Sequence, residues 1–461
     1  MNSRDQIPES ERGAGGAAGF VVFVLCIALI AFVAGSVVVF TKVWPYRLLA
    51  DAHEAAVALY LKETQYSDRY KTDQWAEARS VGEGVTVNKP AKALKGYTLY
   101  SSTYEPAAYL IDMKGNVVHQ WKADVDKIWR NSKDPAKEPP LGNSVYMRKT
   151  WMYPNGDLLV VYEGAGDTPW GLGLVKLDKD SNVIWSYTKE MAHHDVEVGT
   201  GGTVFQLTHT MRHDPIEGLG NLEPPFIEDF LVTHSPDGKV TDRISLLKLV
   251  GQSRFKWQIF SLNEASTKDP LHTNSVKEIG KEAAAHMPFA KAGDLLINFR
   301  NLRLIVVYDP QTKKIVWGTT GAWAGEHDAE PLANGHIMIF DNVGNYRGMR
   351  GASRVVEFDP MTMEEVWSWQ GTKDDKLFSE LRAAAQRLEN GNTLITEAEG
   401  GRLIEVTPAG KVAWEYVNPV RGGKGKKKIP AVVWGHRYTR DEIDPAFLST
   451  LEPSPSKGDV K

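Results

Sequence analysis

Cysteine is nearly absent: Cys26 is the single one in 461 residues, and it lies inside an apolar run. No intramolecular disulfide can form, so this is not a small scaffold stapled by bridges. An excess of either charge is also missing. Lys and Arg total 54 against 58 Asp and Glu, a net charge of −4. That removes the polybasic footprint of a nucleic-acid-binding protein. No His-Glu-x-x-His and no Cys pair occurs, so the sequence offers no metal motif. A Gly-x-Ser-x-Gly elbow is absent. The Gly/Lys stretch 421–428 (RGGKGKKK) lacks the strand–helix setting of a phosphate loop and reads as a solvated loop. These gaps argue against serine-hydrolase and nucleotide-dependent chemistry.

What the chain does contain begins at its N-terminus. Residues 1–18 are polar and Gly/Ala-rich and read as disordered. Residues 19–41 form an apolar run without a charge, long enough for one membrane span at roughly 20 residues. It has no clean Ala-x-Ala site, which favours an uncleaved anchor over a signal peptide. Arg4 and Arg12 precede it and Lys42 and Arg47 follow it, so the charge bias barely selects an orientation. Within 42–95, Tyr46–Thr64 carries Leu48, Leu49, Ala52, Ala55, Ala56, Leu59 and Tyr60 at helical spacing and predicts a short juxtamembrane helix. Residues 65–95 read as an irregular linker.

A repeat of about 50 residues follows. One element is a turn and a strand holding Trp: Trp121, Trp185, Trp317, Trp367 and Trp414 occupy it, with a Trp-free version at Asp237–Val240. A second is a turn leading to an apolar strand, as in Asn155-Gly156, Asn334-Gly335 and Asn390-Gly391, a strong hairpin signal. The 14 Trp and the 41 Gly and 24 Pro suit a turn-rich β protein. Six units start near Gly96, Ser144, His193, Asp269, Gly325 and Ser379. A lone sheet of this kind cannot bury both faces, whereas radial packing can, with Trp between neighbours. The expected fold is therefore all-β, a six-bladed β-propeller over 96–420. Insertions are expected at 122–143 and 211–230, a short helix at Phe378–Glu389, and a separate tail over 421–461 whose Val432–Trp434 packs back on the body.

Of 12 histidines, three stand just before the first strand of a unit: His194, His272 and His327. The innermost strand of each blade lines a propeller's channel, so these three would converge near the axis. The competing reading is that His193-His194-Asp195 and His327-Asp328 close blade corners through side-chain to backbone hydrogen bonds. Arg300 follows a strand expected to be buried, where an unpaired arginine is costly. Its fork of donors suits an oxyanion. Arg347, Arg350 and Arg354 would either add anion affinity or face solvent. His53, His119, His209, His213, His234, His286, His336 and His436 read as surface or turn residues.

Several of these stretches resemble the bacterial arylsulfotransferase family: Leu271–Val276, Asn298-Phe299-Arg300, Glu326-His327-Asp328, Phe340-Asp341-Asn342 with Arg347-Gly348, and the His193-His194-Asp195 box. The resemblance covers roughly 140–420. It implies sulfuryl transfer from an aryl sulfate to a phenol in the periplasm, without an adenylyl-sulfate cofactor or any other. By that resemblance His327 is the nucleophile, Arg300 binds sulfate, and His194 and His272 support catalysis. Asn274 and Arg347 join Arg300 in binding substrate, and Asp328 is a candidate to orient an imidazole. The chain departs from the family in carrying Glu326 where Gln is usual, expected to point away from the site, and Asn298 where Ser is usual. It also lacks the family's cysteine pair. The expectation is a sulfotransferase held in the inner membrane by one span with its propeller in the periplasm; a homo-oligomer is allowed. The alternative is a non-catalytic, membrane-anchored propeller used for binding or assembly. A quinone-dependent dehydrogenase ranks lower, because only six units and no metal box are seen.

Overall fold

The computed structural model describes residues 10–61, 64, 68–132, 135–136, 144–164, 170–342 and 353–451. The chain divides into two compact units, residues 1–67 and 68–461. In the first, a helix spans Ser10–Thr41 and a second spans Tyr46–Leu61. The helix thus starts nine residues before the expected Gly19, although Gly13, Gly15 and Gly16 are weak helix formers. Within it Ala18–Thr41 is long and apolar enough to cross a membrane, as anchors and signal sequences both are. Its apolar side chains are exposed.

The second unit is a six-bladed β-propeller of antiparallel sheets. Blade 2 consists of Val145–Met152, Leu158–Gly164, Gly173–Leu177 and Val183–Tyr187. Blade 3 consists of Met191–Val198, Val204–Arg212, Phe226–His234 and Val240–Ser245. Blade 4 runs through Thr273–Glu278, Leu295–Phe299, Leu304–Asp309 and Lys314–Thr320. Blade 5 takes His327–Pro331, Ile337–Asp341, Arg354–Phe358 and Glu365–Trp369. Blade 6 has Ala384–Arg387, Thr393–Glu397, Arg402–Val406 and Val412–Val417, with Gly84–Asn88 as a fifth, outer strand. Blade 1 combines Tyr97–Ser102, Ala107–Ile111 and Val117–Lys122 with an innermost strand from the other end of the chain, Val432–Tyr438.

The segment 421–461 is therefore not a separate tail: it supplies the strand that closes the ring. Its alternation around Val432 and Trp434 fits a pleated strand, but a single strand far from its sheet has no local signature. Likewise, Gly84–Asn88 pairs with Val412–Val417, inside what the sequence presents as linker. Phe378–Glu389 is not a helix; Ala384–Arg387 is an inner strand. The loop inside blade 3 is only 213–225, since 211–212 and 226–230 are strand. A longer excursion lies between blades 3 and 4, with helices Leu246–Gly251 and Lys256–Phe260.

The middle strands are sandwiched on both faces, and every residue of Leu295–Phe299, Leu304–Asp309 and Ile337–Asp341 is buried. Each fully buried Leu, Ile or Phe contributes about 1.5–3 kcal/mol. The repeat's Trp residues do fill the gaps between blades. Trp121 of blade 1 is wholly buried and donates to Gly156 O of blade 2 at 2.9 Å. Trp414 of blade 6 donates to Met113 O of blade 1 at 3.1 Å, and Trp367 of blade 5 to Pro408 O of blade 6 at 2.9 Å. The Asn-Gly turn of blade 5 depends on its glycine. Gly335 sits at φ 84°, and a Cβ there would lie 2.5 Å from the Cβ of His286.

Candidate functional site

The innermost strands begin irregularly. Pairing with the second strand breaks between Ala192 and Val196 in blade 3, Thr273 and Ser275 in blade 4, and His327 and Glu330 in blade 5. Within the first and third of these breaks, and just before the second, His194, Asp328 and His272 hold left-handed φ of 53°, 53° and 49°. Non-glycine residues take that conformation at a cost and hold it where the surroundings enforce it. The three histidines thus do not share one backbone phase, since His327 stands one residue before the left-handed position. They converge all the same. The rings of His194 and His272 are 5.0 Å apart and those of His194 and His327 6.2 Å apart, centre to centre. Trp170 covers them, 5.9 Å from His194 and 5.0 Å from His272.

His327 is buried, and its Nδ1 lies 2.9 Å from Gly325 O and 2.8 Å from Asn342 Oδ1. Asn342 is fixed in orientation because its amide nitrogen donates to Ser379 O and Arg382 O, at 2.9 and 2.8 Å. Both neighbours of Nδ1 are then acceptors, so Nδ1 carries the hydrogen and Nε2 the lone pair. Burial, with the charges of Arg300 and Arg148, holds His327 well below the ordinary histidine range. The ring is neutral at neutral pH. His272 differs: its Nδ1 donates to Asp269 Oδ2, and the carboxylate stabilises any positive charge created by protonating Nε2. His194 Nδ1 accepts from Trp170 Nε1 at 3.4 Å and from His193 Nδ1 at 2.8 Å, so its hydrogen is on Nε2.

Arg300 begins a short 3-10 turn directly after Leu295–Phe299, and its backbone N–H reaches His272 O at 3.3 Å. Its guanidinium bonds Asn301 Oδ1 at 3.3 Å, and its Nε is buried without a partner. Asn274 lines one cavity with His194, His327 and Arg148. Its amide is partly committed, donating to Glu326 O at 2.6 Å and accepting from Asn298 at 2.8 Å. Those bonds hold the carbonyl immediately before His327. Roomier surface grooves, one beside Arg212 and Lys248 and one beside Tyr70 and Lys424, contain none of these histidines. Arg347 and Arg350 lie outside the described residues. Arg354 is paired with Asp341 and Glu365, at 3.0 and 2.8 Å, and is structural.

Two sequence expectations need correction, and one residue has an environment the sequence does not announce. Asp328 does not orient an imidazole. It bonds Lys277 at 3.3 Å and accepts Ala385 N–H of blade 6 at 3.1 Å. Glu326, expected to point away from the site, is fully buried, with neither carboxyl oxygen hydrogen-bonded, and is not among the residues that line the cavity beside His327. Burial pushes its carboxyl up to about 8, so it is uncharged at neutral pH, as Gln would be. His209 and His234 are buried rather than superficial. Sequence reasoning also missed Arg148, buried in blade 2 and bonded to Val433 O at 3.2 Å. The available signal was Arg148-Lys149, a charged pair inside an otherwise apolar strand.

Comparison with known proteins places these features in context. Residues 149–419 match the arylsulfotransferase (ASST) family. No curated protein matches significantly in sequence. Among solved structures, a protein of unknown function from Bacteroides caccae aligns at TM-score 0.46 and 12% identity, covering 74% of this chain and 98% of its own. A streptogramin B lyase aligns at TM-score 0.39 and 11% identity, covering 76% and 88%. Virginiamycin B lyase from Staphylococcus aureus aligns at 0.38 and 10%, covering 78% and 98%. Likenesses this distant carry no functional argument. The family match spans more than half of the sequence, running from the first strand of blade 2 to the end of the strand Val412–Val417 of blade 6, so the chain belongs to the arylsulfotransferase family, a group of sulfotransferase-like transferases.

Proposed function

We propose that the protein is a membrane-anchored sulfotransferase that moves a sulfuryl group from an aryl sulfate to a phenol through a sulfohistidine on His327. The observation that carries the reading is the fixed tautomer of His327. Its Nδ1 hydrogen is held between Gly325 O and Asn342 Oδ1, which leaves the Nε2 lone pair to attack sulfur. The sulfur–oxygen bond to the aryl group breaks as the nitrogen–sulfur bond forms. The ring becomes cationic, and the same two oxygens stabilise that charge. Arg300, whose Nε has no partner, and Arg148 neutralise the sulfuryl oxygens. His272, backed by Asp269, delivers a proton to the departing phenolate and removes one from the incoming phenol. His194 and Asn274 form the wall of the site. In this reading the apolar helix is an uncleaved anchor and the propeller lies in the periplasm.

Mass spectrometry of the full chain after exposure to a chromogenic aryl sulfate tests the mechanism. A sulfuryl adduct on the His327 peptide is expected, absent in His327→Ala. No adduct and no transfer across a broad panel of phenolic donors and acceptors would sink it. Sequencing the mature N-terminus and extracting membranes with alkali test the anchor; a cleaved, extractable protein overturns that part alone.

A further inference from the structure

Behind His194 lies a second cluster that sulfuryl transfer does not use. His193, His209 and Asp229 stand on three consecutive strands of blade 3, and His209 and Asp229 are direct cross-strand partners. All three are buried, at 1%, 1% and 2% exposure. One ligating atom from each lies within 4.8 Å of the others. His193 Nε2 and His209 Nδ1 are each 3.9 Å from the same oxygen, Asp229 Oδ1.

Hydrogen bonding fixes what those atoms offer. His194 Nδ1 already accepts Trp170 Nε1–H, so His193 Nδ1 is the donor in the 2.8 Å contact between the two histidines. The lone pair of His193 is therefore on Nε2, which is buried without a hydrogen-bond partner. His209 donates Nε2–H to Trp170 O, which leaves its Nδ1 as the ring nitrogen nearest Asp229 Oδ1. Asp229 Oδ2 accepts Thr273 N–H and Oγ–H, at 2.8 and 2.7 Å, while Oδ1 is buried without a hydrogen bond. Two buried atoms without a hydrogen-bond partner, His193 Nε2 and Asp229 Oδ1, thus meet at one point, 3.9 Å apart and beside His209 Nδ1. In a closed interior that arrangement is costly unless a cation occupies the point.

We infer that His193, His209 and Asp229 form a binding site for a divalent transition-metal ion of the zinc type. Two imidazoles and a carboxylate with one open position is a donor set such ions accept. Ligands of a tetrahedral zinc stand about 3.3 Å apart, so the two 3.9 Å separations from Asp229 Oδ1 close by roughly half an ångström on binding. Each ligand also has the outer partner such a site requires: His194 for His193, the Trp170 carbonyl for His209, and Thr273 for Asp229. Pairing within one sheet makes the site largely preformed. A cation on His193 Nε2 sharpens the donation of Nδ1–H to His194 and so acts as a positioning element for that ring.

The test is direct titration of the full chain, purified in detergent and stripped with chelator, with Co²⁺ and then Zn²⁺. One equivalent is expected, with the intense visible bands of a four-coordinate Co²⁺ site and X-ray absorption showing two imidazoles. Asp229→Asn keeps an acceptor for Thr273 and turns an NH₂ into the site; His209→Gln removes a ligand. Each is expected to weaken uptake at least about tenfold. Failure of the wild type to take up either ion overturns the proposal, as does unchanged affinity in folded variants. Should the variants unfold, an absorption spectrum of the wild type without two imidazoles overturns it alone. None of these readings depends on sulfuryl transfer.

Discussion

At the scale of single residues, the most informative position is Glu326. The sequence marks it as a negative charge beside the expected nucleophile, and so as a threat to anion binding. Burial reverses that reading. Its carboxyl is raised to about 8, chiefly by desolvation with Asp341 adding to the rise and Arg300 opposing it. An unfolded glutamate ionises near 4.3. Between those values the folded protein keeps a proton that the unfolded chain has lost. Stability contributed by the neutral carboxyl is thus fully present at low pH and falls as pH rises toward about 8. Glu326→Gln removes this dependence. Melting scans are expected to show the variant equal to wild type near pH 5 and more stable at pH 9, by about 1.4 kcal/mol for each unit of raised pKa at most. In the proposed reaction, kcat/KM of the wild type falls above about pH 8 while that of the variant does not. A wild type whose melting and rate curves parallel those of Glu326→Gln would show that the carboxyl is ionised throughout. No sequence signal announces this, because burial depends on which strand faces which.

At the scale of elements, the inner strands are held to one another by side chains that accept a neighbouring backbone N–H. Glu163 of blade 2 accepts from His194 N at 2.8 Å, Asp195 of blade 3 from Val276 N at 3.1 Å, and Ser275 of blade 4 from Ala329 N at 3.1 Å. Asp328 of blade 5 accepts from Ala385 N at 3.1 Å, Gln386 of blade 6 from Arg437 N at 2.7 Å, and Tyr438 of blade 1 from Met152 N at 3.1 Å. All six steps around the axis are bridged, five from an inner strand and one, Glu163, from the second strand of blade 2. The two readings of the His-Asp pairs were therefore not rivals: the aspartates close the ring and the histidines face the site. Period, Asn-Gly turns and Trp positions were legible because they are local. The bulges were not, since an inserted residue looks like any other until its partner strand is known. Asp195 also joins Lys149 at 2.9 Å and Lys277 at 3.0 Å, all buried. Asp195→Ala strands Lys149 in the interior, leaves Lys277 with Asp328 alone, and is expected to cost about 3–5 kcal/mol. Adding Lys149→Met should recover part of that loss, because one orphaned charge goes with it. Urea midpoints of the single and double variants decide this; a double variant less stable than Asp195→Ala would mean the lysines are solvated when freed.

At the scale of the whole molecule, both ends of the propeller unit meet in its closure. Gly84–Asn88 adds the outer strand of blade 6 and Val432–Tyr438 the inner strand of blade 1. A chain cut at residue 420 looks complete from its repeats, since every Asn-Gly turn and Trp strand has been made by then. The structure says otherwise. Without Val432–Tyr438, the strand Tyr97–Ser102 becomes an open edge at the channel, with pairs such as Leu99 to His436 and Tyr97 to Tyr438 lost. Trp434, whose ring lies 3.1 Å from Lys149 Nζ, goes as well, as does the carbonyl of Val433 that holds Arg148. The same cut removes Arg437, which is wholly enclosed and paired with Glu405 of blade 6 at 3.2 Å. Damage is thus not confined to blade 1; it reaches the cationic wall beside His327 and the joint with blade 6. Truncation after Val420 is expected to abolish the cooperative melting transition and to expose the propeller to rapid proteolysis. Supplying 428–451 as a separate peptide should restore both in part, because the lost strand pairs through its backbone along its full length. A truncated chain that still melts cooperatively near the wild-type temperature would show that the ring closes through the remaining blades, and that the C-terminal strand decorates the channel instead of sealing it.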